Sequence, residues 1–211
     1  MKITKLGHCC LLIEIQGKRF LTDPGNYTTA QNEVKDLDYV VISHEHTDHL
    51  HIDSVKTIIK NNPRVKIISN GSVGKILEKE SIPYIQLAHG QKQEFGGVGI
   101  AGHGFEHENI YKEYGLVENT GYLFDNKLFY PGDAFYNPGV PVDLLAFPVG
   151  APWSKVSQSV NYVLDVKPRI AFPVHDGNLI RHGLTTNLPK EMFTKAGIQY
   201  VSLELGKEVE M

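Results

Sequence analysis

One short stretch limits what this chain can fold into more than any other feature: His44-Glu45-His46-Thr47-Asp48-His49. It follows Asp38-Tyr39-Val40-Val41-Ile42, a continuous apolar run of the kind that forms a strand covered on both faces. After it, Ile52, Val55, Ile58 and Ile59 are spaced to line one face of a helix over 52–60. Three imidazoles and the Asp48 carboxylate therefore fall in the loop at the carboxyl end of a buried strand, where α/β folds hold their ligands. Such donors suit Zn, Mn or Fe, and the set needs no thiolate. A polar loop with Asp48 capping the helix would explain one carboxylate, not so dense a tract of metal donors. Ten histidines among 211 residues, clustered rather than spread, point the same way.

The rest of the chain reads as two successive runs of strands interleaved with helices. Cys10 to Ile15 and Lys18 to Thr22 pair about Gln16-Gly17, and Asp23-Pro24-Gly25 ends that hairpin with turn chemistry. Strands are expected at Val65–Ser69, Tyr84–Leu87 and Gly97–Ala101, with a helix at Val73–Glu80 closed by Pro83. In the second half, Gly121–Phe124 and Lys127–Tyr130 form a hairpin, while Val142–Phe147 and Arg169–Val174 read as buried strands. Helices are expected at Ser157–Val166 and Leu188–Ala196, and a last strand at Gln199–Leu203. The pattern implies an α/β chain with two sheets packed together and helices outside. No low-complexity segment or Pro/Gly/Ser linker interrupts it, so a single domain over 1–211 is expected.

Several function classes are disfavoured. No window approaches the roughly 18 uninterrupted apolar residues of a membrane span. The short apolar run after Lys2 and Lys5 lacks the form of a signal peptide. Cys9 and Cys10 are adjacent and have no third partner, so a disulfide framework is not expected and the cytoplasm is the default compartment. A net charge of −3 with scattered Lys and Arg argues against long nucleic acids. Nothing in the patterning specifies an oligomer.

Three downstream pieces complete the picture: Ala101-Gly102-His103-Gly104-Phe105-Glu106-His107, Phe129-Tyr130-Pro131-Gly132-Asp133 and Ala171-Phe172-Pro173-Val174-His175-Asp176. With the first tract, read as His-x-His-x-Asp-His after a strand, they resemble the metallo-β-lactamase superfamily from about Leu6 to His175. The resemblance implies a four-layer αββα sandwich and two divalent metal ions, zinc foremost, with Mn or Fe as alternatives. It implies that His44, His46 and His107 hold one ion, that Asp48, His49 and His175 hold the other, and that Asp133 bridges them. His103 and His107 both follow the strand; the Glu106-His107 pair resembles close relatives and favours His107, with His103 the alternative. Leu6-Gly7-His8, Leu21-Thr22-Asp23-Pro24 and Pro148-Val149-Gly150-Ala151-Pro152-Trp153 resemble the branch of small hydrolases that includes ascorbate-6-phosphate lactonase. That likeness implies that His8 and Asp23 stand behind the ligands, with Trp153 as pocket wall. A satisfied core histidine and a turn residue before Pro24 are the plainer readings of His8 and Asp23. Arg181 and His182, in the loop after His175, are candidate substrate contacts. His51 and His89 read as surface residues.

These residues point to a hydrolase that attacks a small ester, lactone or phosphate-containing metabolite with a metal-bridging hydroxide. Asp133 and Asp48 would carry the chemistry, and Asp48 could alternatively serve as proton donor to the leaving group. A phosphodiesterase or nuclease is the second reading, although the chain lacks the long insertions of nucleic-acid-processing members. A mono-iron dioxygenase would leave the second ligand group idle, and His46 stands where flavodiiron relatives carry Glu. A metal-binding protein without catalysis is the remaining class, disfavoured by the complete ligand set.

Overall fold

The apolar runs become strands of two seven-stranded sheets in the computed structural model, which describes residues 1–181 and 183–211. Across its width the first sheet runs β14 (Glu208–Glu210), β1 (Lys2–Gly7), β2 (Cys10–Ile15), β3 (Lys18–Thr22), β4 (Tyr39–Ile42), β5 (Lys66–Ser69) and β6 (Tyr84–Gln86). The second runs β13 (Gln199–Tyr200), β12 (Ile170–Val174), β11 (Leu144–Pro148), β10 (Leu128–Tyr130), β9 (Gly121–Phe124), β8 (Val98–His103) and β7 (Lys92–Phe95). Helices α1 (Ile52–Asn61) and α2 (Gly71–Lys79) follow strands of the first sheet, and α3 (Val156–Val166) and α4 (Gly183–Lys195) follow strands of the second.

Alternation along the strands sorts their side chains into layers. Leu11, Ile13, Phe20 and Val41 face Ile100, Tyr122, Phe124 and Phe172 across the gap between the sheets. On the outer face of the first sheet, Leu12, Leu21, Val40 and Ile42 pack against Val55 and Ile58 of α1 and Val73 and Leu77 of α2. On the outer face of the second, Leu123, Phe129, Leu145 and Phe147 pack against Val160 and Val163 of α3 and Phe193 of α4. The order is helix, sheet, sheet, helix, the αββα sandwich that the sequence led us to expect.

Three strands carry no sequence signal, each for a physical reason. The buried positions of β1 include Lys5 and Gly7, which breaks the apolar alternation. Edge strands β7 and β14 bury one side chain and none, respectively, so their polar sequences suffice. The last helix begins at Gly183 rather than Leu188, continuing through Pro189 as an internal residue. The last strand of the second sheet is only Gln199–Tyr200.

The pairing directions place the functional residues. In the first sheet β1 and β3 both run antiparallel to β2, and β3 runs parallel to β4. In the second, β8 and β10 both run antiparallel to β9, and β10, β11 and β12 run parallel. The carboxyl ends of β1, β3 and β4 therefore share one edge of their sheet, as do those of β8, β10 and β12 in theirs. These six ends lead directly into His8, Asp23, His44, His107, Asp133 and His175.

Candidate metal centre

Side chains from four separate loops meet at this edge in two groups. His44, His46 and His107 each present a ring nitrogen within 4.8 Å of the others. A second group, His8, Asp48, His49 and His175, meets the same limit. Asp133 lies between them: Oδ2 is 3.3 Å from His107 Nε2 and 2.9 Å from His175 Nε2, and Oδ1 is 3.2 Å from His49 Nε2. His44 Nε2 stands 4.0 Å from Asp133 Oδ2.

The backbone needed to bring these loops together is unusual. His8, Asp23 and His175 are non-glycine residues with positive φ, of 48°, 35° and 61°. Backbone held in this sparsely populated region clusters where function requires a particular side-chain direction. At Gly25, a Cβ atom would lie 1.8 Å from the Asp48 carbonyl oxygen, so only glycine lets the Asp23-Pro24-Gly25 turn pack on the histidine-rich loop.

Hydrogen bonds set the tautomers. Asp23 is fully buried and accepts from Ser43 N (2.7 Å), Ser43 Oγ (2.6 Å), His49 Nδ1 (2.6 Å) and Tyr130 Oη. With Nδ1–H donated to Asp23, His49 turns Nε2 toward Asp133. Because Ser43 Oγ donates to Asp23, it accepts from His44 Nδ1 at 3.0 Å, leaving His44 Nε2 as the free base. His107 Nδ1 donates to the Glu108 carbonyl at 2.5 Å, with the same result. His8 is the reverse case. The Gly177 N–H donates to His8 Nδ1 at 3.1 Å, so Nε2 carries the proton and donates to Asp48 Oδ2 at 3.2 Å. Its nitrogens are both occupied, which makes His8 a brace for Asp48 rather than a donor to an ion. Outer partners of this kind orient ligands and fix their tautomers.

The electrostatics suit a cation. Burial pushes His44 well below the usual imidazole range and lowers His46 and His8 as well, so all three rest neutral. Burial opposes charge on Asp133 too, yet His175 and His49 hold its carboxyl well below the usual range. Asp48 is likewise held at about 2, against burial, by the His8 hydrogen bond and the His49 charge. It rests as a carboxylate, suited to hold an ion or accept a proton rather than to donate one. Burial also opposes charge on His49, but Asp133 and Asp23 raise it well above the ordinary value. A field that draws a proton onto a fully buried imidazole would favour a divalent ion in the same place.

A direct test of fit comes from unsatisfied atoms. His44 Nε2, His49 Nε2 and Asp133 Oδ1 are buried and have no hydrogen-bond partner. Such orphans are rare and call for an explanation. His44 Nε2 and His49 Nε2 lie 4.0 and 3.2 Å from Asp133 oxygens, so all three sit where a metal ion held by these residues would satisfy them.

His107, not His103, joins the cluster; His103 is half-buried and packs edge-on to Phe129, with ring centroids 5.8 Å apart. Arg181 is exposed and does not line the cavity over the site. His182 lies outside the described residues. His51 caps the start of α1, with Nδ1 3.0 Å from Ser54 Oγ. Exposed His89 accepts from Gly104 N through Nδ1. Trp153 does more than wall the pocket: its Nε1–H donates to Asp133 Oδ2 at 3.2 Å.

Sequence reasoning missed Ser43, Tyr130 and Asn119, which accepts from the Asp133 N–H at 3.0 Å. Ser43 and Tyr130 abut residues already singled out, but nothing in their type marks them as partners of Asp23. It also missed Cys9, whose sulfur lies within 4.8 Å of His49 and Asp133 ligand atoms. Burial pushes the Cys9 thiol up to about 12, so it stays protonated. Both cysteines are free thiols.

Comparisons with known proteins agree with this geometry. A family model described as a beta-lactamase superfamily domain matches residues 2–175. Protein Rv0786c of Mycobacterium tuberculosis is 32% identical over 180 residues, covering 83% of this chain and 84% of that one. A UPF0173 metal-dependent hydrolase of Carboxydothermus hydrogenoformans is 29% identical over 194 residues, with 83% and 84% covered. Among solved structures, a metal-dependent hydrolase described as putative, from Parabacteroides distasonis, superposes with a TM-score of 0.76 at 21% identity, covering 96% and 92% of the two chains. The metallo hydrolase Igni18 of Ignicoccus hospitalis gives 0.77 at 18%, covering 99% and 97%. At these identities the structural likeness speaks to the fold alone.

Proposed function

The chain belongs to the beta-lactamase superfamily domain family, and from that premise we propose a dinuclear hydrolase of a small ester, lactone or phosphate-containing metabolite. At the coarser level it is a metal-dependent hydrolase of the metallo-β-lactamase superfamily. One observation carries the finer reading: Asp133 lies within 3.3 Å of His107 in one group of ligand-bearing side chains and of His49 and His175 in the other, and His44 Nε2, His49 Nε2 and Asp133 Oδ1 are buried without hydrogen-bond partners. His44, His46 and His107 would hold one ion; Asp48, His49 and His175 the other; Asp133 would bridge. The all-N/O set suits zinc first, with Mn or Fe as alternatives. When bound, such ions supply Lewis acidity and lower the pKa of water from 15.7 to about 7, giving a nucleophile at neutral pH.

The chain's own residues do the positioning. Asp23 fixes His49 directly and His44 through Ser43, His8 fixes Asp48, and Trp153 with Asn119 fixes Asp133. No helix among the described residues is long and apolar enough to cross a membrane. Elemental analysis of purified protein tests the reading, together with turnover of esters, lactones and phosphodiesters before and after chelation. About two metals per chain and chelator-sensitive hydrolysis are expected. One iron per chain with no hydrolysis would replace it with the dioxygenase reading.

A phosphodiesterase is the second reading, favoured by one relative. An N-acyl-phosphatidylethanolamine-hydrolyzing phospholipase D 1 of Caenorhabditis elegans is 28% identical over 202 residues, with 57% of its length matched. Turnover of bis-p-nitrophenyl phosphate without turnover of esters or lactones would select it.

A further inference from the structure

Resting on the hydrolase reading above, we infer that the substrate is uncharged and apolar away from its scissile bond, with an acyl or aryl group rather than a phosphorylated or carboxylated tail. A cavity of about 640 Å³ opens over the ligand groups. Its walls beyond the ligands include Tyr27, Ile110, Tyr114, Pro152 and Trp153, contributed by the loops after β3, β8 and β11, with Thr47, Gly115 and Asn178 as uncharged neighbours. No Lys or Arg is among its described lining residues, whereas Glu45 is. Two bound divalent ions would more than offset Asp48 and Asp133, so positive charge would be concentrated at the scissile bond; away from the ligands the one charged residue among the described lining is Glu45, whose carboxylate accepts from Ser72 Oγ. Recognition of an anionic group usually rests on Arg or Lys forks or on a helix N-terminus, and the cavity lining offers neither cation.

Two lysines of neighbouring loops point to other partners. Lys5 Nζ is buried against Asp176 (2.6 Å) and the Pro173 carbonyl (3.0 Å) in a separate cavity of about 590 Å³. Lys112 Nζ lies 5.4 Å from the ring centre of Tyr111, off the cavity wall.

The apolar wall is built, not incidental. The loop bearing Ile110 and Tyr114 is tied at its base by His107 N to Val117 O (3.0 Å) and Glu108 N to Asp133 O (2.9 Å), and at its tip by Tyr114 N to Tyr111 O (2.9 Å). Ile110 lies across Gly115, where a Cβ would meet its Cδ1 at 2.5 Å. Tyr114 is 75% exposed, and Tyr27, packed on one side against His8 with ring centroids 4.6 Å apart, is 47% exposed, so both present aromatic surface at the mouth that an apolar group would cover.

The test uses zinc-loaded full-length protein and matched p-nitrophenyl esters: butyrate, hexanoate and the hemisuccinate, whose tail ends in a carboxylate. We expect kcat/KM to rise about tenfold from butyrate to hexanoate as two further methylenes are buried. The hemisuccinate should fall at least about tenfold below butyrate, mainly through KM. Tyr114→Lys should narrow that second gap, while Tyr114→Phe should preserve it. Trp153, the chain's single tryptophan, gives a readout without turnover. In chelated protein the neutral aryl lactone dihydrocoumarin should quench its fluorescence at lower concentration than phenyl phosphate. Chelator-sensitive turnover that favours the hemisuccinate, or equal quenching by the two aryl ligands, would overturn this inference and leave the hydrolase reading standing. Protein that binds no metal and hydrolyses none of the esters would instead overturn the hydrolase reading.

Discussion

The two proposed ligand groups differ in charge and in how deeply their unbraced histidine is buried. The first is three imidazoles, all neutral donors, with only the shared Asp133 to offset an ion's charge. The second adds the Asp48 carboxylate to His49 and His175. In it Asp23 holds His49 at 2.6 Å and His8 holds Asp48 at 3.2 Å, while His175 is fully buried but its Nδ1 has no hydrogen-bond partner among the described residues. In the first group His44 and His107 are braced, but His46 is only half-buried and no hydrogen bond to its ring is found among the described residues. Greater negative charge favours holding a divalent cation, and the buried His175 has less freedom to freeze than the half-buried His46. The second group should therefore be the tighter, and the first the one that loses its ion on dilution or mild chelation.

The strongest test of the comparison removes what the groups share. Asp133→Ala should lower turnover by about a thousandfold or more and bring metal content well below one ion per chain, measured by elemental analysis beside steady-state rates. Circular dichroism should stay near wild type, since the side chain serves the site and not the sheets. The next tests separate the groups. His46→Ala should leave about one ion per chain with turnover largely lost, whereas His49→Ala should disturb retention of the tighter ion. If His46→Ala kept both ions and full activity, the first group would be wrongly drawn.

Smaller effects come from the bracing residues. Asp23→Asn places an amide where four donors converge, and metal affinity should fall about 10–100-fold by competition with a chromogenic chelator. His8→Phe should act on the second group alone and by less. An equal loss from both groups in His8→Phe would break the assignment of that histidine to Asp48.

The smallest expected effect is on the stability of metal-free protein. Burial lowers His8, His44 and His46 below their unfolded values, so the unfolded chain takes up protons first as pH falls through about 6.5. Stability from these three is complete above that pH and is lost below it. His49, raised in the fold, works in the opposite direction and offsets part of the loss. Melting of chelated protein should thus occur at a lower temperature at pH 5.5 than at pH 7.5. An unchanged Tm would mean that the histidine-rich edge is more hydrated than its burial implies.

Much of this molecule was legible before its structure. Hairpins such as Cys10–Ile15 with Lys18–Thr22 and buried strands such as Ile170–Val174 stand out because their apolar periodicity is local. The edge strands Lys92–Phe95 and Glu208–Glu210 do not, since an exposed strand needs no apolar face. The start of α4 at Gly183 was hidden by Pro189, which reads as a helix beginning but here sits inside one. At the site, donors of distinctive type could be picked out, whereas Ser43, Tyr130 and Asn119 could not, because common polar residues acquire meaning only from their neighbours.

By itself the sequence determined the layer order and the chemistry of the donors, because hydrophobic period and residue type are properties of short segments. Tertiary structure alone decided which donors meet. Parallel and antiparallel pairing brought six strand ends to one edge, turning His107 inward, leaving His103 beside Phe129 and setting His8 behind Asp48. It also decided that the cavity above them would be lined by Tyr27, Tyr114 and Trp153 with no cation among its described lining residues. Contacts between residues as far apart as His8 and Gly177 depend on the register of whole sheets, which no local pattern encodes.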